Sequence, residues 1–95
     1  MATVGVLTLE VRLEDSHSLK DKRHVVQGLK DRLRHKFNVA VAEIGYQDLW
    51  QRALIAAVTV SGDRGQAALV LESVEKEAAA LLGASLAEAT VEWLD

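Results

Sequence analysis

The chain has no cysteine, which removes disulfides, zinc–thiolate and iron–sulfur centres and thiol nucleophiles together, and leaves the redox compartment undetermined. No apolar run is long enough to span a bilayer. Met1 to Leu13 alternates polar and apolar residues and lacks a basic start followed by an unbroken apolar stretch, so it does not read as a signal peptide. A cytoplasmic protein without a membrane partner is the expectation. Aromatic residues are scarce, two Trp, one Tyr and one Phe. No glycine-rich turn is present to let a phosphate approach the backbone. Linkers, low-complexity tracts and repeats of fixed period are absent as well.

What is present fits one folding unit. Ninety-five residues, 49% hydrophobic and 26% charged, can enclose one hydrophobic core and not two, so residues 1–95 are expected to form a single domain. The net charge of -3 conceals an asymmetry, because residues 17 to 36 hold seven of the 11 lysines and arginines with only Asp21 and Asp31 opposing them. That segment is +5 and the remainder is -8. A basic helix on an acidic body is the pattern.

From Thr3 to Glu14, apolar Leu7, Leu9, Val11 and Leu13 alternate with polar neighbours, which predicts a strand with one wet face. Ser18, with Asp21 three residues on, has the form of a helix N-cap followed by an acid in the first turn, and a long helix is expected to about Phe37. Asn38 to Ile44 and Gln51 to Ser61 read as two further strands joined by Gly45 to Trp50 as a hairpin connection or bulge. Asp63 and Gln66 open a second helix with an expected inner face of Ala67, Val70, Val74, Ala78 and Leu81, and Gly83 is a natural stop. Ser85 to Leu94 alternates again as a fourth strand. The order βαββαβ predicts an α+β, ferredoxin-like sandwich, a four-stranded antiparallel sheet with two helices on one face.

Residues about 100° apart on the first helix place Leu19, Val26, Leu29, Leu33 and Phe37 on one buried stripe. Lys20, Arg23, Gln27, Lys30 and Arg34 form a second stripe beside it, extending about 20 Å at 1.5 Å per residue. Arg32, Lys36 and Lys22 flank the core from the other side. Two readings of the basic stripe stand. It is a phosphate-contacting ridge, or it is ordinary solvation, with long cationic side chains covering apolar surface and pairing with acids across the helix pair.

Other candidates are weaker. Ser16 to Ser18 could offer N–H groups to an anion, although Glu14 and Asp15 oppose this and helix capping accounts for the residues. His17, His24 and His35 are too dispersed to share a metal, so no metal or cofactor is expected. The stretch Tyr46 to Arg52 gathers two aromatics, two amides, an acid and a base in a connection. Trp50 could stack on a base or close the core. Leu49 is expected in the core, and the reading in which Trp50 closes the core with it has Asp48 and Arg52 as a local ion pair. The open sheet face is expected to display Thr8, Glu10, Arg12, Glu88, Thr90 and Glu92, an acidic surface without the aromatics on which RNA-recognition motifs of this topology stack bases. Nucleic acid, if bound, would lie along the first helix or the connection.

The strings Ser16-His17-Ser18-Leu19-Lys20-Asp21-Lys22-Arg23, Arg32-Leu33-Arg34 through Phe37 to Glu43, and Gln47-Asp48-Leu49-Trp50-Gln51-Arg52-Ala53 resemble the YlxP-like family of bacterial proteins of unknown function, in matching order over nearly the whole chain. The resemblance implies a ferredoxin-like fold. Members tend to be encoded near translation and ribosome-maturation factors, which by association implies an RNA-linked role. No catalytic constellation is visible, so the expectation is a non-enzymatic module that contacts RNA or a ribonucleoprotein through Lys20, Lys22, Arg23, Lys30 and Arg34, with Trp50 and Arg52 on the connection. The alternative is a protein-interaction or homo-oligomeric assembly domain, in which the basic helix meets the acidic body of another copy.

Overall fold

Alternation at period two becomes an extended strand when every second side chain can leave water together, and Thr3–Arg12 does this as β1. The computed structural model describes residues 1–94. After β1 come α1 (Leu19–Lys36), β2 (Ala40–Gly45), β3 (Arg52–Ser61), α2 (Arg64–Leu82), a short 3-10 turn (Gly83–Ser85) and β4 (Leu86–Trp93). The strands form one antiparallel sheet in the order β2-β3-β1-β4, with both helices on one face. This is the βαββαβ ferredoxin-like sandwich. β1 is shorter than the sequence pattern implied, since its ladder with β3 ends at Arg12 opposite Arg52; Leu13 is nevertheless buried.

The core lies between the helices and the inner sheet face. β1 contributes Leu7, Leu9 and Val11, β3 contributes Ala53, Ile55 and Ala57, α1 contributes Val26, Leu29 and Leu33, and α2 contributes Ala67, Leu71, Val74 and Ala78. Each large aliphatic side chain removed from water contributes about 1.5–3 kcal/mol. One expectation about α2 is corrected here. Leu71 lies in the core while Leu81, which continues the 67, 71, 74, 78 spacing but sits in the last turn before Gly83, is exposed.

Two glycines are required by geometry. Gly83 closes α2 with φ of 56°, a left-handed value that favours glycine. Gly5 sits beneath Leu71 and Trp93, where an added Cβ would meet Leu71 Cδ1 and Trp93 Cζ3 at 2.8 Å each. β1 can pass under these side chains only without one of its own.

The outer sheet face differs from the expectation. Register pairs Val4 with Val60, Val6 with Val58, Thr8 with Ala56 and Glu10 with Leu54, while Ala40 and Ala42 of β2 lie opposite Val58 and Ala56. The middle of this face is therefore apolar. Glu88, Thr90 and Glu92 lie on the β4 edge, opposite Glu10, Thr8 and Val6, and the charged pair Glu10 and Arg52 lies toward one end. β1 and β3 occupy the centre of this face, and Val4 and Val6 with Val58, Val60 and the β2 alanines make that centre apolar. Among the described residues no helix is long and apolar enough to cross a membrane.

Candidate functional site

The basic helix begins at a closed cap. Ser18 Oγ accepts from the Asp21 amide at 3.1 Å, and Asp21 Oδ2 accepts in turn from the His17 amide at 3.0 Å. The helix entry is thus occupied by its own side chains, and the anion reading of Ser16 to Ser18 has no support in this arrangement.

One turn later the helix turns a cation inward. Lys22, expected among the surface cations, is 1% exposed. Its ammonium donates to the carbonyls of Tyr46 at 2.7 Å, Gln47 at 3.2 Å and Arg52 at 3.1 Å. It also lies 2.9 Å from Glu43 Oε2, a buried oxygen that accepts no hydrogen bond and is compensated by this charge. All three ammonium hydrogens are engaged, so Lys22 has nothing to offer a phosphate. It holds the β2–β3 connection against α1.

The connection wraps around that ammonium. Tyr46 adopts a φ of 59°, unusual for a residue with a side chain. Its carbonyl accepts from both Lys22 and the Leu49 amide, the latter at 3.0 Å. Gln51 ties the connection to the β1–α1 loop by donating to the carbonyls of Glu14 at 3.2 Å and Ser16 at 3.3 Å. Arg52 does not pair with Asp48. Its guanidinium donates to Glu10, bonds Tyr46 Oη at 3.1 Å and lies 4.0 Å above the tyrosine ring. The hydrogen bond to Glu10 raises the Arg52 pKa above its ordinary value, partly opposed by desolvation. Leu49 is also corrected, being exposed rather than in the core, and Trp50 beside it is 51% exposed. Together with Asp48, Gln51 and Arg52 they line a shallow groove of about 360 Å³.

The remaining cations of α1 separate into two groups. Arg32 and Lys36 both reach across to Glu77 of α2, at 2.9 and 2.7 Å. The Lys36 hydrogen bond, reinforced by Arg32, holds the Glu77 carboxyl below the usual carboxylate range against an opposing desolvation effect. On the other side, Lys20, Arg23, Gln27 and Lys30 line a groove of about 660 Å³ beside Glu43 of the edge strand β2. Among the described residues Lys20, Arg23 and Lys30 have no ion-pair partner. Arg34 continues the line, with a loose contact to Asp31 at 3.6 Å. With Lys22, Arg32 and Lys36 accounted for, four cations face Asp21 and Asp31, and the +5 segment presents only +2.

Residues 4–91 match the model of a family described as "Protein of unknown function (DUF503)". The chain belongs to this family. A relative from Bacillus subtilis (strain 168), "Uncharacterized protein YlxP", is 41% identical over 71 residues, covering 75% of this chain and 77% of that protein. The DUF503 chain also resembles solved structures. The de novo designed protein Foldit4 matches with a TM-score of 0.61 at 14% identity, covering 100% of this chain and 98% of the other. SnoaB, a cofactor-independent oxygenase from Streptomyces nogalater, matches with a TM-score of 0.50 at 14% identity, covering 99% and 91%. At such identities the likeness shows the fold alone and carries no activity across.

The Lys22 clamp was discoverable from the sequence. Positions 22, 26, 29 and 33 keep the spacing of a single buried stripe, so a lysine stood in the middle of an apolar register. Glu43, on the same side of β2 as buried Val41, was the matching signal.

Proposed function

We propose that this chain is a non-enzymatic binding module that contacts RNA through the groove lined by Lys20, Arg23 and Lys30, with Arg34 extending the contact. The observation that carries the reading is the division of labour on α1. Three cations are committed to internal acids and carbonyls, while those along the edge-strand groove have no ion-pair partner among the described residues. Lys20 and Lys30 stand about 15 Å apart at 1.5 Å per residue with Arg23 between them, a rigid row long enough to meet more than one backbone phosphate. Gln27 between them donates its amide to Asp31 at 2.8 Å. Such a surface binds the nucleic-acid backbone by charge and has little means of reading sequence.

The test is RNA affinity by fluorescence anisotropy as a function of salt, for the native chain and for Lys20→Gln, Arg23→Gln and Lys30→Gln combined. The native affinity should fall by close to 0.7 logarithmic units per logarithmic unit of salt for each single-strand phosphate contact. The triple variant should bind more weakly, with a slope smaller by about 2. No binding at low salt, or an unchanged slope in the variant, overturns the proposal.

A further inference from the structure

The face of the sheet opposite the helices has no covering element among the described residues. Its centre is built from aliphatic side chains on three adjacent strands, with Val6 beside Val58 and Val4 beside Val60, and with Ala42 of β2 continuing the surface next to Ala56. Val60 is 55% exposed. We infer that this face is a self-association surface, on which a second copy of the chain packs sheet against sheet.

The size of the face suits that occupant. Four strands about 4.8 Å apart, of six, ten, ten and eight residues in spatial order rising about 3.4 Å each, cover about 550 Å² in projection, and more once the relief of the side chains is included. Stable associations bury about 600–1,000 Å² per partner. The apolar part of the face, Val4, Val6, Leu54, Val58 and Val60 with the β2 alanines, is contiguous, and a contiguous exposed apolar patch rimmed by polar residues marks an interaction site. Shape gives the second argument. A gently twisted sheet is complementary to a copy of itself, since two such faces stack about 10 Å apart with their side chains interdigitated.

The distribution of charge favours a copy over other occupants. Glu88 and Glu92 lie along β4, and Glu10, Arg12 and Arg52 lie at the end where β1 meets the connection. This leaves an apolar centre with a polar rim of both signs, the anatomy of a homodimer interface. An anionic membrane would be repelled by Glu10, Glu88 and Glu92, and nucleic acid would find no cation at the centre. The surface is distinct from the α1 groove, so the inference does not depend on the RNA reading. It also differs from assembly by a basic helix on an acidic body, because three of those helix cations are already paired internally.

Sedimentation equilibrium over a range of concentrations at low and high salt provides the test. The native chain should show twice the 10.3 kDa of one copy, and the dimer should persist at high salt because apolar burial is not screened. Val60→Glu, at an exposed position, and Val58→Glu, nearer the centre, should each yield monomers, with circular dichroism confirming that the variants remain folded. If Val58→Glu unfolds, Val60→Glu decides. Since the chain has no cysteine, single spin labels at Thr90→Cys and Glu72→Cys supply an independent measurement. The strand label should give an inter-copy distance much shorter than the label on α2. A monomeric native chain, a dimer that survives Val60→Glu, or a shorter distance from the helix label would each overturn the inference.

Discussion

α1 and α2 cover the same sheet face and are held to it by different means. α2 presents Ala67, Leu71, Val74 and Ala78, all at most 1% exposed, and docks by close apolar packing on β1 and β3. α1 replaces one position of its stripe with Lys22, whose ammonium is directional, and with it fixes the conformation of the β2–β3 connection. Apolar contact is tolerant of small changes in the path of a neighbouring loop. An ammonium bonded to three carbonyls is not, and it offsets the roughly 1–2 kcal/mol of a left-handed residue such as Tyr46. One helix secures the core, and the other sets the shape of a loop.

Removing the clamp should break this contrast most severely. Lys22→Met would leave the buried Glu43 oxygen without its partner and take a donor from three carbonyls, of which Tyr46 keeps the Leu49 amide, at an expected cost of about 3 kcal/mol, measurable as a lower urea midpoint. Adding Glu43→Leu to that variant should recover part of the loss, since a buried pair replaced by apolar groups is far less costly than a broken one. On the α2 side the vulnerable quantity is volume. Ala78→Leu should cost about 2 kcal/mol through overpacking while leaving the connection intact, which hydrogen exchange of the Leu49 amide would report.

The smallest effect belongs to the bond between the two helices. The Glu77 pKa is lowered in the folded state, so its contribution is fully present above the ordinary carboxylate pKa and is lost as pH falls through the lowered folded value. Glu77→Gln should therefore reduce stability modestly at neutral pH, and the difference from the native chain should shrink on acidification. An equal difference at neutral and strongly acidic pH would show that Glu77 acts through packing rather than charge.

The fold was legible because its signals were local and mutually consistent. Alternation in β1, the Ser18 and Asp63 caps and the Gly83 stop each mark an element whose bounds the structure matches within about two residues. The surfaces were harder to read. Lys22 was assigned by its chemical type to the outside, although its register placed it inside, and its partners lie more than 20 residues away on the connection. Leu49 was assigned to the core on the same reasoning, although nothing in the local pattern could show that the connection turns it outward. The outer sheet face was misjudged because its composition depends on which strands occupy the centre, and pairing order is a property of the whole chain.

The two tryptophans follow from that pairing order in a useful way. Trp93 lies over Gly5 at one end of the sheet, with the Arg64 guanidinium 4.7 Å from its ring, and Trp50 stands exposed beside Arg52, which pairs with Arg12 at the far end of β1. Seven residues of β1 separate these ends, roughly 24 Å at 3.4 Å per residue. The chain thus carries two intrinsic fluorophores that sense separate events. Under excitation selective for tryptophan, a Trp50→Phe chain would emit only from the Trp93 end and report global unfolding, while a Trp93→Phe chain would emit only from the connection and report whether the loop around Lys22 opens on its own.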